Sequence, residues 1–167
     1  MGLITGQFLK QIRLNSGVSV VKIARITDKM EGATRRYETT VNISIDKIIE
    51  RAKACNDTRV LNIISGLECL QNERSDYLCI PYKGGFSGSF LKQMRLFSNF
   101  NIYHMCKSGY NAILCEKATR LTVSMIRSYA LVCEDVETLA IMQSLEDLQI
   151  ERNKDLKCSI NLKHGEQ

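Results

Sequence analysis

The strongest constraint on the fold of this chain is a phrase written twice. Residues 6–14 read GQFLKQIRL and residues 88–96 read GSFLKQMRL, seven of nine letters identical at an offset of 82. A repeat of this kind sets the architecture before local propensity does, because each copy must bury the same apolar face. The register continues through Ser16/Ser98, Val18/Phe100, Val20/Ile102 and Ile23/Met105. It resumes at an offset of 78 with Ile45/Val123, Ile48/Ile126, Ala52/Ala130, Cys55/Cys133, Asp57/Asp135, Leu61/Leu139 and Leu67/Leu145. The second copy has lost four residues around 109–121 and keeps its apolar positions on either side. The 167 residues thus divide into a first unit at 1–71, a linker at 72–87 containing Pro81 and Gly84–Gly85, a shortened second unit at 88–149, and a helical extension with a polar tail at 150–167.

Within each copy the apolar spacing is helical. Gly6 and Gly17 bracket a first helix, and Ser19 caps a second by accepting the orphan N–H groups at its start. Residues 31–40 supply a third. Ser44 begins a fourth, with Ile45, Ile48, Ile49 and Ala52 at i, i+3, i+4 and i+7 and Asp46 placed where the helix dipole favours an acid. Asp57 caps a fifth that carries Val60, Leu61, Ile64 and Leu67. Asn101, Thr122 and Asp135 repeat the caps in the second copy, whose last helix is expected to run through Leu148 toward Leu156. One proline in the whole chain leaves an all-α fold unobstructed.

The segment VSVVKIARITDKMEGATRRYETTVNISIDKIIERAKACN resembles the helix-turn-helix DNA-binding domain of the phage-repressor (Cro-like, xenobiotic-response-element) family. Val18-Ser19 followed by Ile23-Ala24 matches the start of that family's second helix. Arg36-Tyr37-Glu38 matches the end of its recognition helix, and Ser44–Ile49 with Ala52-Lys53-Ala54 matches its fourth. The likeness spans about residues 6–56 and recurs more faintly at 88–134. It departs at the turn, where the family's glycine is Asp28, and at Gly32 within the reading helix; in the second copy Cys106 replaces the small alanine. The resemblance implies an all-α protein of two tandem five-helix lambda-repressor-like helix-turn-helix domains joined by a short linker, and it implies a transcriptional regulator acting on double-stranded DNA.

In such a motif the third helix enters the major groove, and neighbouring basic residues grip phosphates. On this mapping Lys29, Glu31, Thr34, Arg35, Arg36 and Thr39 lie on or beside the reading helix. Lys10, Arg13 and Lys22 are phosphate candidates. Asn111, Lys117 and Arg120 form a thinner set in the second copy, which either reads DNA as well or serves dimerisation and orientation. The charge distribution agrees: residues 1–71 hold 11 Lys and Arg against 7 Asp and Glu, whereas 88–149 hold 6 against 6. A homodimer paired through Val136, Leu139, Met142, Leu145 and Leu148 is expected, with a built-in pseudo-dimer as the competing arrangement. The alternative function is a helix-turn-helix fold that binds another regulator or RNA polymerase without base readout.

Other chemistries find little support. His104, Cys106, Cys115 and Cys133 lack zinc-ligand spacing, and KGGFSGS is not a phosphate loop. Neither a catalytic set nor a metal or other cofactor is expected. Seven cysteines at irregular spacing, with no secretory or membrane-spanning segment, suit free thiols in a reducing cytoplasm.

Overall fold

The computed structural model describes residues 4–81, 84–107 and 111–164, and within these the side chains outside 106–107 and 157–164. The protein is all-α, with ten helices and no strand among the described residues. The first five are α1 (Gly6–Asn15), α2 (Val20–Ile26), α3 (Glu31–Thr39), α4 (Ile45–Ala54) and α5 (Thr58–Leu78). The other five are α6 (Gly88–Phe97), α7 (Ile102–Lys107), α8 (Ala112–Cys115), α9 (Val123–Val132) and α10 (Val136–His164). No helix among the described residues is long and apolar enough to cross a membrane.

The expected caps are in place. Ser19 Oγ accepts from the Lys22 N–H, Asp57 Oδ1 from Val60, Asn101 Oδ1 from His104, Thr122 Oγ1 from Met125 and Asp135 Oδ1 from Thr138. Each satisfies an N–H that its helix leaves open. Ser44 also sits at a helix start, but its side chain makes no capping bond.

Most letters of the repeated phrase have an interior role, whereas Gln7, Lys10 and Leu14 of the first copy are exposed. Phe8, Leu9 and Ile12, like Phe90, Leu91 and Met94, are fully buried, each contributing about 1.5–3 kcal/mol of burial energy. Gly6 and Gly88 donate their N–H to the carbonyls of Thr40 and Ala118, both at 2.7 Å. A side chain at Gly6 would overlap the Tyr37 carbonyl, and one at Gly88 would overlap that of Glu116. The glycine therefore lets α1 abut the end of α3. Gly6→Ala is expected to cost at least about 1–3 kcal/mol, the range for forcing atoms into a filled core; urea unfolding checks it.

The two copies are joined reciprocally. One continuous core holds residues of both, from Ile4 to Leu148. Helix α5 packs on α6, the first helix of the second copy, while α10 packs on α1 and the two long helices pack on each other. Gln93 donates to Ser75 at 2.6 Å, and its counterpart Gln11 donates to Asn153, the counterpart of Ser75. Arg74 grips Asp135 with two hydrogen bonds of 2.5 and 2.9 Å; Arg152 grips Asp57 with two of 2.6 and 3.0 Å. At the centre, Ile45 N–H donates to Leu121 O at 3.1 Å and Val123 N–H to Ile43 O at 3.0 Å, an antiparallel bridge between Ser44 and Thr122. In each case the partners exchange places under the 78- or 82-residue offset. That exchange defines a local twofold axis passing between Ser44 and Thr122.

This arrangement corrects the sequence reading of the last helix. Met142, Leu145 and Leu148 are buried inside the same chain, and Leu139 packs against the same core. Of the stripe proposed to pair two chains, only Val136 stays exposed, at 72 %. Helix α5 also continues through residues 72–78 of the segment read as linker, because Arg74 and Ser75 are anchored on the other copy.

Candidate nucleic-acid interface

Helices α2 and α3 form a small unit whose inner faces are firmly held. Val20, Ile23 and Ala24 of α2 are buried, as are Thr34 and Glu38 of α3. The turn between them places Asp28 at φ +50°, the left-handed region in which glycine is favoured and aspartate is one of the tolerated alternatives.

Glu38 fixes α3 in place. Arg13 contacts it with two hydrogen bonds of 2.8 and 2.9 Å, and Arg51 reaches it at 2.6 Å. Burial alone would raise the Glu38 carboxyl, but the hydrogen bonds and charges of Arg13 and Arg51 outweigh it and hold it below the usual carboxylate range. The second copy preserves the anchor. Glu116, equivalent to Glu38, accepts from Arg95 at 2.5 and 3.0 Å and from Tyr129 at 2.5 Å. Burial and then this hydrogen bond push the Tyr129 phenol up, so it stays neutral and donates.

The opposite face of α3 is open. Glu31, Gly32, Arg35, Arg36 and Thr39 are exposed, a stripe spaced at i, i+3, i+4 and i+7 from Gly32. Neither Arg35 nor Arg36 has an ion-pair partner among the described residues. Thr39 is exposed, although its hydroxyl donates to Arg36 O at 2.9 Å. Lys10 and Lys22 are exposed, as is Arg25, which the sequence reading passed over. Arg25 lies three residues beyond Lys22 on the polar side of α2, a spacing the sequence displayed.

Three expected contact residues are drawn inward instead. Arg13 is held by Glu38 and positions α3. Thr34 is 1 % exposed, and its hydroxyl donates to Met30 O, so it packs the helix against its neighbours. Lys29 pairs with Glu50 at 2.6 Å on a half-buried site that Lys47 shares.

In the second copy Asn111, Lys117 and Arg120 are exposed, with Asn111 Oδ1 capping α8 through Leu114 N–H. Since Glu116 matches Glu38, Ile113 and Leu114 stand where Arg35 and Arg36 stand in the first copy. They too are exposed, at 48 % and 65 %. Cys55 and Cys133 are buried thiols, and burial pushes Cys133 up to about 12. No group of three His, Cys, Asp or Glu among the described residues is arranged to hold a metal ion. Cys106 and its side chain lie outside the described side chains.

Compared with protein-family models, with curated proteins and with solved structures, the chain has no significant match.

Proposed function

We propose that the protein is a sequence-specific double-stranded DNA-binding regulator of transcription acting at promoter or operator sites. In this reading each copy is a five-helix, lambda-repressor-like helix-turn-helix domain, and the first is the principal reader. The observation that carries it is the pairing of opposites on α3: an inner face locked by Glu38 between two arginines, and an outer face offering Arg35 and Arg36 unpaired. A helix held rigidly while two guanidinium groups project from it suits bidentate contact to guanine in the major groove. Lys10, Lys22 and Arg25 on α1 and α2 are placed to neutralise phosphates alongside.

The local twofold adds a geometric reason. Thr39, at the end of α3, stands five positions before Ser44 at the axis, and its counterpart Lys117, two residues past the end of α8, stands five positions before Thr122. An extended chain covers at most about 3.5 Å per residue, which keeps Thr39 and Lys117 within about 40 Å of one another. Half-sites one DNA turn apart lie about 34–36 Å from centre to centre. In this reading one chain supplies both halves of the usual dimeric arrangement, a spacing that this upper bound permits.

The test is a titration of the full chain against DNA from upstream of its own gene at several salt concentrations. A steep fall of affinity with salt and a strong preference for one sequence are expected. Undetectable binding at low salt removes the reading.

A further inference from the structure

The regions where the two copies differ most stand at equivalent places about the axis. In the first copy the position is filled by Arg35–Arg36, and in the second by Ile113–Leu114. The backbone around both is anchored alike, by Arg13–Glu38 and by Arg95–Glu116. The helix is shorter in the second copy, Ala112–Cys115 against Glu31–Thr39, and its outward side chains differ in chemistry. Around Ile113 and Leu114 the exposed polar residues of 111–120 are Asn111, Lys117, Thr119 and Arg120. The one acid of this segment, Glu116, is turned inward onto Arg95 and Tyr129. The outward surface of 111–120 therefore carries two aliphatic side chains, two cations after them in the chain, and the neutral polar groups of Asn111 and Thr119. Aliphatic groups cannot hydrogen-bond to base edges, and the base feature they match in the major groove is the thymine methyl. The cations match neighbouring phosphates.

We infer that one copy of the chain occupies one non-palindromic DNA site, in which Arg35 and Arg36 read a guanine-containing half and Ile113 and Leu114 read the methyls of a thymine-containing half. This rests on the regulator reading above and assigns the form of its target. The reciprocal Arg74–Asp135 and Arg152–Asp57 pairs make the two halves one body, so a second chain is not needed to complete the site.

The experiment uses the full chain. A duplex selected from a randomised pool is bound at known stoichiometry, and thymines of the second half are then replaced by deoxyuridine, which removes only the methyl group. One chain per duplex is expected, with two unlike half-sites. Affinity should fall about four-fold for each contacted methyl removed. The same replacement should have no effect on the Ile113→Ala/Leu114→Ala variant, whose altered residues are exposed and leave the fold intact by circular dichroism. Two chains on a palindrome overturn the inference and leave the regulator reading standing. So does indifference to deoxyuridine, which assigns the Ile113–Leu114 face to a partner protein. Failure to select any sequence overturns both.

Discussion

Replacing Arg74 by methionine is expected to destabilise the protein by about 3–5 kcal/mol, the cost of leaving a buried charge without its partner. Asp135 is the group left behind, with 3 % of its side chain exposed and both carboxylate oxygens occupied by Arg74. Methionine has similar length and fills the space, so lost packing contributes little. Arg152→Met should cost a similar amount, because Asp57 is buried to the same degree and gripped in the same way. Adding Asp135→Asn to Arg74→Met should recover part of the loss, since it removes the stranded charge as well. Urea unfolding measures all three. Because the pairs join the two copies, a single transition is expected in the parent protein. A loss under 1 kcal/mol, or two separate transitions, would show that the copies fold independently.

Acid should act on the same joints. Burial would raise the Asp135 carboxyl, but hydrogen bonds from Arg74 and Thr138 outweigh it, and its pKa lies below the usual value, as does that of Glu38. A depressed carboxylate stabilises the fold above its unfolded pKa, about 4, and that stability is lost as pH falls through the folded pKa. Thermal midpoints should therefore hold level down to about pH 5 and drop steeply below pH 4. The slope should be shallower in Arg74→Met, where the linkage at Asp135 is gone.

The second large effect concerns DNA. Arg35→Ala and Arg36→Ala are each expected to lower affinity for the selected site by about 1–3 kcal/mol, so the double variant should lose about two to four orders of magnitude. Both residues are exposed and unpaired, and stability should change by no more than about 0.5 kcal/mol. Binding to unrelated DNA should weaken far less, which separates base reading from general charge. Lys22→Ala or Arg25→Ala should instead weaken binding to all sequences alike and reduce the salt slope by about one unit each. If the Arg35/Arg36 double variant binds its site unchanged, α3 is not the reading helix. Arg13→Ala gives a third pattern: it loosens Glu38, so stability and affinity should fall together.

The helices and their caps were legible because their causes are local. Ser19, Asp57, Thr122 and Asp135 each accept from an N–H three residues on. The spacing of Ile45, Ile48 and Ala52 likewise states which face is buried. The candidate site was half legible. Lys10, Lys22, Arg35 and Arg36 are exposed as the motif implied, whereas Arg13, Lys29 and Thr34 are not offered to a partner. Both kinds look alike in sequence, since a cation beside a reading helix is free or committed according to which acid the tertiary fold brings to it. For Arg13 that acid is 25 residues away.

The sequence by itself therefore determined the duplication, the succession of helices and the apolar face of α4, all of which follow from periodicity and short-range hydrogen bonding. Only the tertiary structure decided that the copies are one body. The groups that bind them, Arg74 to Asp135 and Arg152 to Asp57, lie 61 and 95 residues apart, beyond the reach of any local pattern. The reciprocity was hidden for the same reason. Nothing local marks the glutamines of the repeated phrase as interior, and only the crossing of α5 and α10 over the opposite copy turns Gln11 and Gln93 into buried contacts.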